Sequence, residues 1–179
     1  MDRFEIEQVL ESFRVIVDTR EQASIRATER FAALGDSLER ATLDYGDYAA
    51  NITLMAGNPL YDVAATRIYP SCIIERKMSL DELATCFTRG RDRFRREMER
   101  ACSNHSTVYL LVENGSYEGI IKHRYKSRYN PTAFLASLTA WTVRYNIVPI
   151  FCKAETSGQI IKEILYRDMK ERLENGEFG

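Results

Sequence analysis

The sequence predicts an α/β domain built around a mixed sheet. Three observations lead there. Short apolar runs at 14–18, 71–75, 107–113 and 146–151 alternate with segments of helical period. Glycine and proline are scarce, at 9 and 4, and no linker or low-complexity tract interrupts the chain. A length of 179 residues suits one domain spanning 1–179, large enough to bury its own core.

The elements follow in order. Residues 3–12 carry Phe4, Ile6, Val9 and Leu10 at helical spacing and predict a short amphipathic helix. R-V-I-V-D (14–18) is a short buried strand, and 23–34 predict a helix ending near Gly35. A strand around 38–43 enters the turn D-Y-G-D (44–47), and the next runs through Ile52 and Leu54. Residues 56–70 open with Gly57, Asn58 and Pro59 and then alternate, which predicts a turn and an added hairpin strand. S-C-I-I-E (71–75) is another buried strand. Ser79 with Glu82 forms a capping-box pattern, so a helix starts at 80 and ends near Gly90. A second helix covers 91–103. T-V-Y-L-L-V-E (107–113) is nearly continuous in apolar residues, as for a strand covered on both faces. Asn130 and Pro131 place a cap and a first helical residue on a helix to about 145. A strand at 146–151 and a helix over 156–174 close the chain.

Composition excludes several classes. Hydrophobic residues make up 45% and charged residues 28%, which argues against disorder. Lys and Arg total 25 against 26 Asp and Glu, so a nucleic-acid site has to be a local patch. No apolar run approaches the roughly 18 residues of a membrane span. The N-terminus M-D-R-F-E-I-E does not read as a signal peptide. These features predict a cytoplasmic or nucleoid-associated protein if the source is prokaryotic or viral. Cys72, Cys86, Cys102 and Cys152 include no C-x-x-C pair and predict reduced, packed thiols.

The chemistry gathers at strand ends. Asp18 and Glu21 follow the first strand, Asp47 follows a glycine turn, and Glu75 ends the 71–75 strand. In extended chain, residues i and i+2 share a side, so Glu75 and Lys77 face one pocket while Arg76 points away. Two carboxylates hold a hard divalent cation, and a lysine steadies an attacking water or developing charge. An E-x-K triplet alone is a weak signal. Asp18 and Glu21 equally suit a helix N-terminus, and Asp47 an ordinary turn.

The surrounding motifs add specificity. V-D-T-R-E (17–21), G-D-Y (46–48) and I-E-R-K-M-S-L-D-E-L (74–83) resemble the XPF family of structure-specific endonucleases, whose signature runs D-x-R-E, G-D, E-R-K-x-x-x-D. The likeness continues through R-F (93–94), L-L-V-E (110–113), N-P-T-A-F-L-A-S-L (130–138) and I-V-P-I-F (147–151), covering about 14–172. It implies a restriction-endonuclease-like PD-(D/E)xK core, dependent on Mg²⁺ or Mn²⁺, that cuts flaps, forks or junctions. Carried over by position, Asp47 and Glu75 are metal ligands with the Arg76 carbonyl as a third. Lys77 is the catalytic lysine, and Asp18, Arg20, Glu21, Arg76 and Asp81 complete the site. Two departures stand out. The Asp47–Glu75 spacing exceeds that of the tightest members, in keeping with the extra segment at 56–70. The sequence given also shows no helix-hairpin-helix or helicase module. A non-catalytic DNA-binding subunit and a duplex-DNA repair or restriction-type nuclease remain the alternatives.

Two basic segments predict DNA contacts. R-G-R-D-R-F-R-R-E-M-E-R (89–100) holds six arginines against three acids, and Arg89, Arg93, Arg96 and Arg100 recur at helical spacing. Glu97 and Glu99 read as lying off that line. K-H-R-Y-K-S-R-Y (122–129) mixes basic and aromatic residues and predicts a loop that touches DNA through Lys122, Arg124 and Tyr125, with Tyr125 or Tyr129 as base-stacking candidates. A solvated charged face and a solvated loop are the alternatives. Trp141 reads as core or subunit contact. The last two helices, with Phe134, Leu138, Trp141, Ile160, Ile161 and Ile164, predict a homodimer interface together with the strand between them.

Overall fold

A computed structural model describes residues 1–21 and 25–178. In chain order the elements are α1 (Arg3–Glu11), β1 (Arg14–Asp18), α2 (Ile25–Leu34), β2 (Leu38–Ala41), β3 (Tyr48–Asn51), β4 (Cys72–Lys77), α3 (Leu80–Phe87), α4 (Arg91–Ser103), β5 (Thr107–Glu113), α5 (Tyr117–Ile121), α6 (Pro131–Tyr145), β6 (Ile147–Cys152) and α7 (Ser157–Glu174). The predicted start of the second helix, at 23 and 24, lies outside the described residues.

The six strands form one sheet in the order β2-β1-β3-β4-β5-β6. β3 runs antiparallel to both β1 and β4, and the other neighbours are parallel. The sheet is therefore mixed, as predicted. Alternation along the strands splits the core in two. Ile16, Ala49, Ile73, Val108, Leu110 and Val112 point to the side covered by α3, α4 and α6. Val15, Val17, Ala50, Ile74 and Leu111 point to the side covered by α1 and α7. Each buried valine, leucine or isoleucine among them contributes roughly 1.5–3 kcal/mol.

An aromatic cluster locks the first layer. Phe94 of α4 stacks on Trp141 of α6 at 5.2 Å, and Phe87 of α3 meets Trp141 edge-on at 5.1 Å. This fixes α4 so that its opposite face overlooks the end of β4. Trp141 is thus a core residue, 1% exposed.

Several expectations need correction. The 56–70 segment adds no strand; only single bridges, Leu43 to Ile68 and Thr53 to Pro59, touch it. Its alternation does not mark a continuous buried face, since Val63 and Tyr69 are exposed, and Pro59 and Pro70 lack ladder N–H groups. Asn51 instead pins the segment, donating to the Tyr61 carbonyl at 3.0 Å and accepting the Tyr61 N–H at 2.9 Å. α3 ends at Phe87, short of Gly90, and α5 was not predicted. The cap of α3 is one-sided: Ser79 accepts the Glu82 N–H at 3.2 Å, while Glu82 accepts from Met78. All four cysteines are free thiols, but Cys102 is exposed and not packed. Phe134, Leu138, Trp141 and Tyr145 of α6 and Ile161 and Leu165 of α7 turn into the chain's own core. They are unavailable to a partner. No described helix is long and apolar enough to cross a membrane.

Candidate active site

β4 reads alternately to the two sheet faces, and this sets the site. Glu75 and Lys77 share the side of Ile73, toward α3 and α4, whereas Arg76 faces the other way. Glu75 is 3% and Lys77 7% exposed. The Lys77 ammonium donates to Glu75 Oε1 and sits 5.4 Å from the Phe94 ring centroid, a cation–π contact.

Asp47 arrives from the turn before β3. Its N–H donates to the Ile74 carbonyl at 2.9 Å, its carbonyl accepts from Asp18 N at 2.9 Å, and its Oδ2 accepts the Arg76 N–H at 2.7 Å. Gly46 before it has φ +77°, and a Cβ there would stand 2.7 Å from Ile73 Cδ1. Only glycine lets the turn lie this close to β4. The two motif halves are thereby joined.

Electrostatics follow from burial. Burial, then the charge of Glu75, raises the Asp47 carboxyl to about 8. Burial raises Glu75 to about 7, with Lys77 pulling it back. Burial alone would lower Lys77, but Glu75 beside it holds the ammonium charged, above the usual lysine value. Glu75 Oε2 is buried with no hydrogen-bond partner. An orphaned carboxylate oxygen beside a second crowded carboxylate fits a bound hard cation. Among the described residues no three His, Cys, Asp or Glu form a group able to hold a metal by themselves. Water or phosphate oxygens would have to complete a shell that starts from Asp47 and Glu75.

The remaining signature residues separate into roles. Asp18 is spent on structure: its oxygens accept from Arg20 N and Nε, both at 2.7 Å, and from Leu43 N at 2.8 Å. Arg20 lines the cleft while clamped to Asp18 and the Leu43 carbonyl. Arg76 does not pair with Asp18; it donates to Glu21 at 3.2 Å and Glu113 at 3.3 Å. Asp81 is absent from the cleft lining. Its carboxylate accepts the N–H groups of Lys126 and Ser127 at 2.8 and 2.7 Å, anchoring the 122–129 loop.

A cleft of about 700 Å³ opens over Asp47, Glu75 and Lys77, and Arg93 and Arg96 stand on its rim with Arg100. Arg100 is tied to Asp44 at 3.0 Å, which also holds Arg67 of the 56–70 segment at 3.0 Å. Arg89 precedes α4 and faces a separate cavity of about 730 Å³ beside Asp81 and Lys126. Lys122 and Arg124 are exposed and line neither cavity. Tyr125 is half-buried, its ring 5.2 Å from Phe134 and its hydroxyl on the Tyr129 carbonyl at 2.7 Å. Tyr129 likewise packs on Phe134.

Three residues escaped the sequence reading. Glu97 lines the cleft and accepts the Gly46 N–H at 3.3 Å. It lies four residues after Arg93, which puts it on the arginine face, and that spacing was readable. Arg30 and Glu113, 2% and 0% exposed, pair at 3.2 Å behind the site. An acid ending an otherwise apolar strand was the available sign for Glu113; Arg30 left none.

A mixed sheet that sets a buried acid and a buried lysine against an acid from the antiparallel neighbour defines an α/β fold of the restriction-endonuclease-like type. The chain matches the ERCC4 domain over residues 17–164 and belongs to that family. XPF from Aeropyrum pernix is similar, with TM-score 0.59 and 23% identity over 85% of this chain and 64% of that one. XPF from Aeropyrum pernix in complex with DNA gives TM-score 0.60 and 25% identity over 89% and 66%. The chain thus spans just under two thirds of those chains. Comparison with curated proteins gives no match.

Proposed function

We propose that the chain is a Mg²⁺- or Mn²⁺-dependent DNA endonuclease acting on branched DNA, at flaps, forks or junctions. The observation that carries this reading is the trio Asp47, Glu75 and Lys77, the last two buried, with Glu75 Oε2 left unpartnered at the floor of an arginine-rimmed cleft. Membership of the ERCC4 family supports it, as does the likeness to an XPF protein solved with DNA.

Asp47 and Glu75 would hold the cation, with the Arg76 carbonyl as a third oxygen. A bound cation would polarise the scissile phosphate and acidify a water. Lys77, kept charged by Glu75, supplies a fixed positive group for the attacking water or the developing charge. Arg93 and Arg96, exposed on the rim, meet phosphates and draw the backbone over the acids. Arg76 and Glu21 hold β4 to the first strand's end and act by positioning.

Branch preference is tested by cleavage of matched duplex, flap and four-way-junction DNAs with Mg²⁺. Preferential cutting of a branched form supports the reading. Equal cutting of plain duplex makes the protein a duplex nuclease, and no cutting with any metal makes it a non-catalytic DNA binder.

The same reading includes a homodimer through α6, β6 and α7. The helices spend their main apolar faces on the core and leave other apolar surface outside. β6 is a sheet edge whose Val148 is 40% exposed, and Val143 of α6 is 86% exposed. Sedimentation at micromolar concentration reads the answer as one or two chain masses.

A further inference from the structure

Glu97 is an acid in a basic place. It shares the cleft rim with Arg20, Arg93, Arg96 and Arg100, yet among the described residues it forms no ion pair with any of them. Its described polar contact is the Gly46 N–H, received by Oε1 at 3.3 Å. Oε2 has no hydrogen bond among the described residues. On a surface that only met phosphates, this carboxylate would repel the ligand. Beside a cation it would attract. Across the cleft, Glu75 Oε2 is buried and also without a partner. Glu97 holds the backbone of Gly46, the residue before Asp47, and lines the same cleft as both acids.

Resting on the metal-dependent reading above, we infer that Glu97 is a third carboxylate of the metal centre, acting through metal-bound water from the α4 side. Direct ligation does not suit the geometry, because no three acids converge on one point among the described residues. Mg²⁺ and Mn²⁺ sites of this kind keep several waters. A carboxylate one water away orients that shell and adds charge. Glu97 reaches across from a helix fixed by Phe94 on Trp141, so its position is set by packing.

The test is Mn²⁺ binding by the full chain, read from the EPR signal of free Mn²⁺ without DNA or turnover. Wild type is compared with Glu97→Gln, Glu97→Ala and Glu75→Gln. Glutamine keeps an acceptor for Gly46 and removes only the charge. The expected result is about 10-fold weaker Mn²⁺ binding in both Glu97 variants, the usual scale for losing an outer partner. Wild-type affinity in Glu97→Gln overturns the inference; a deficit in Glu97→Ala alone would make Glu97 a fastener of the Gly46 turn. If only Glu75→Gln binds weakly, the metal centre stands and Glu97 is outside it. If wild type binds no Mn²⁺, the metal-dependent reading and this inference fall together.

Discussion

Asp47 Oδ2 accepts the backbone N–H of Arg76 at 2.7 Å, so the acid of the turn before β3 is fastened to the backbone beside the acid of β4. The bond prevents Asp47 from relaxing away from Glu75, although Glu75 is buried and the two acids crowd each other. Such an arrangement favours a counter-cation over two bare charges. Glu75→Gln keeps the shape and removes the charge that faces the unpartnered position. Cleavage should fall by about 100-fold or more, with circular dichroism unchanged. Near wild-type cutting by this variant would show that the reaction is centred elsewhere.

Stability should depend on pH in an unusual direction. An acid whose pKa is higher folded than unfolded binds its proton more tightly when folded, so its contribution is full below the unfolded value and declines as pH rises toward the folded one. Asp47 covers the window from about 3.9 unfolded to about 8 folded. Glu75 covers about 4.3 unfolded to about 7 folded. The metal-free protein should therefore melt lower at pH 8 than at pH 5.5, by about 2–4 °C for each kcal/mol involved. Asp47→Asn should flatten that slope. Mg²⁺ should raise the melting temperature more at pH 8, since it needs both carboxylates ionised. A melting temperature that climbs from pH 5.5 to 8 without metal contradicts the burial argument.

How much of this was legible depended on whether local pattern decided the matter. β1, β5, α4 and α6 were readable because their apolar patterns are clear, and at α6 the Asn130 cap with Pro131 agrees with the pattern. The 56–70 segment was not, since its alternation carries no buried face and its anchors, Asn51 and Asp44, are distant side chains. In the site, Glu75, Lys77 and the outward turn of Arg76 follow from strand geometry. The Arg30–Glu113 pair does not, because it joins residues 83 apart in sequence. Asp81 was named with the site but serves the 122–129 loop, whose backbone N–H groups it receives. No local spacing distinguishes those two tasks.

The rim arginines should act mainly through phosphate charge. Arg93 and Arg96 are exposed over the cleft, whereas Arg100 is held by Asp44. Replacing Arg93 and Arg96 together by alanine should weaken binding to flap or duplex DNA. It should also flatten log K against log salt by up to about 1.8, from roughly 0.9 per contact on duplex DNA. Fluorescence anisotropy across a salt series measures this. An unchanged slope with unchanged affinity would place α4 away from the DNA.

Arg30 offers a test of the framework behind the site. Its guanidinium donates to Glu21 Oε1 at 2.8 Å, Glu113 Oε1 at 3.2 Å and the Tyr48 hydroxyl at 3.2 Å. Glu21 and Glu113 also receive Arg76, so two arginines and two acids close a buried ring under β4. Removing one member leaves charge without compensation in a low-dielectric interior, which costs about 3–5 kcal/mol. Arg30→Met should lower stability by that amount in urea titrations, with no change in the urea dependence itself. Arg30→Met combined with Glu113→Gln should recover much of the loss, because the stranded charge is gone, leaving a coupling energy well outside additivity. Additive losses, or a single-variant cost below about 1 kcal/mol, would mean that the ring does not act as a unit.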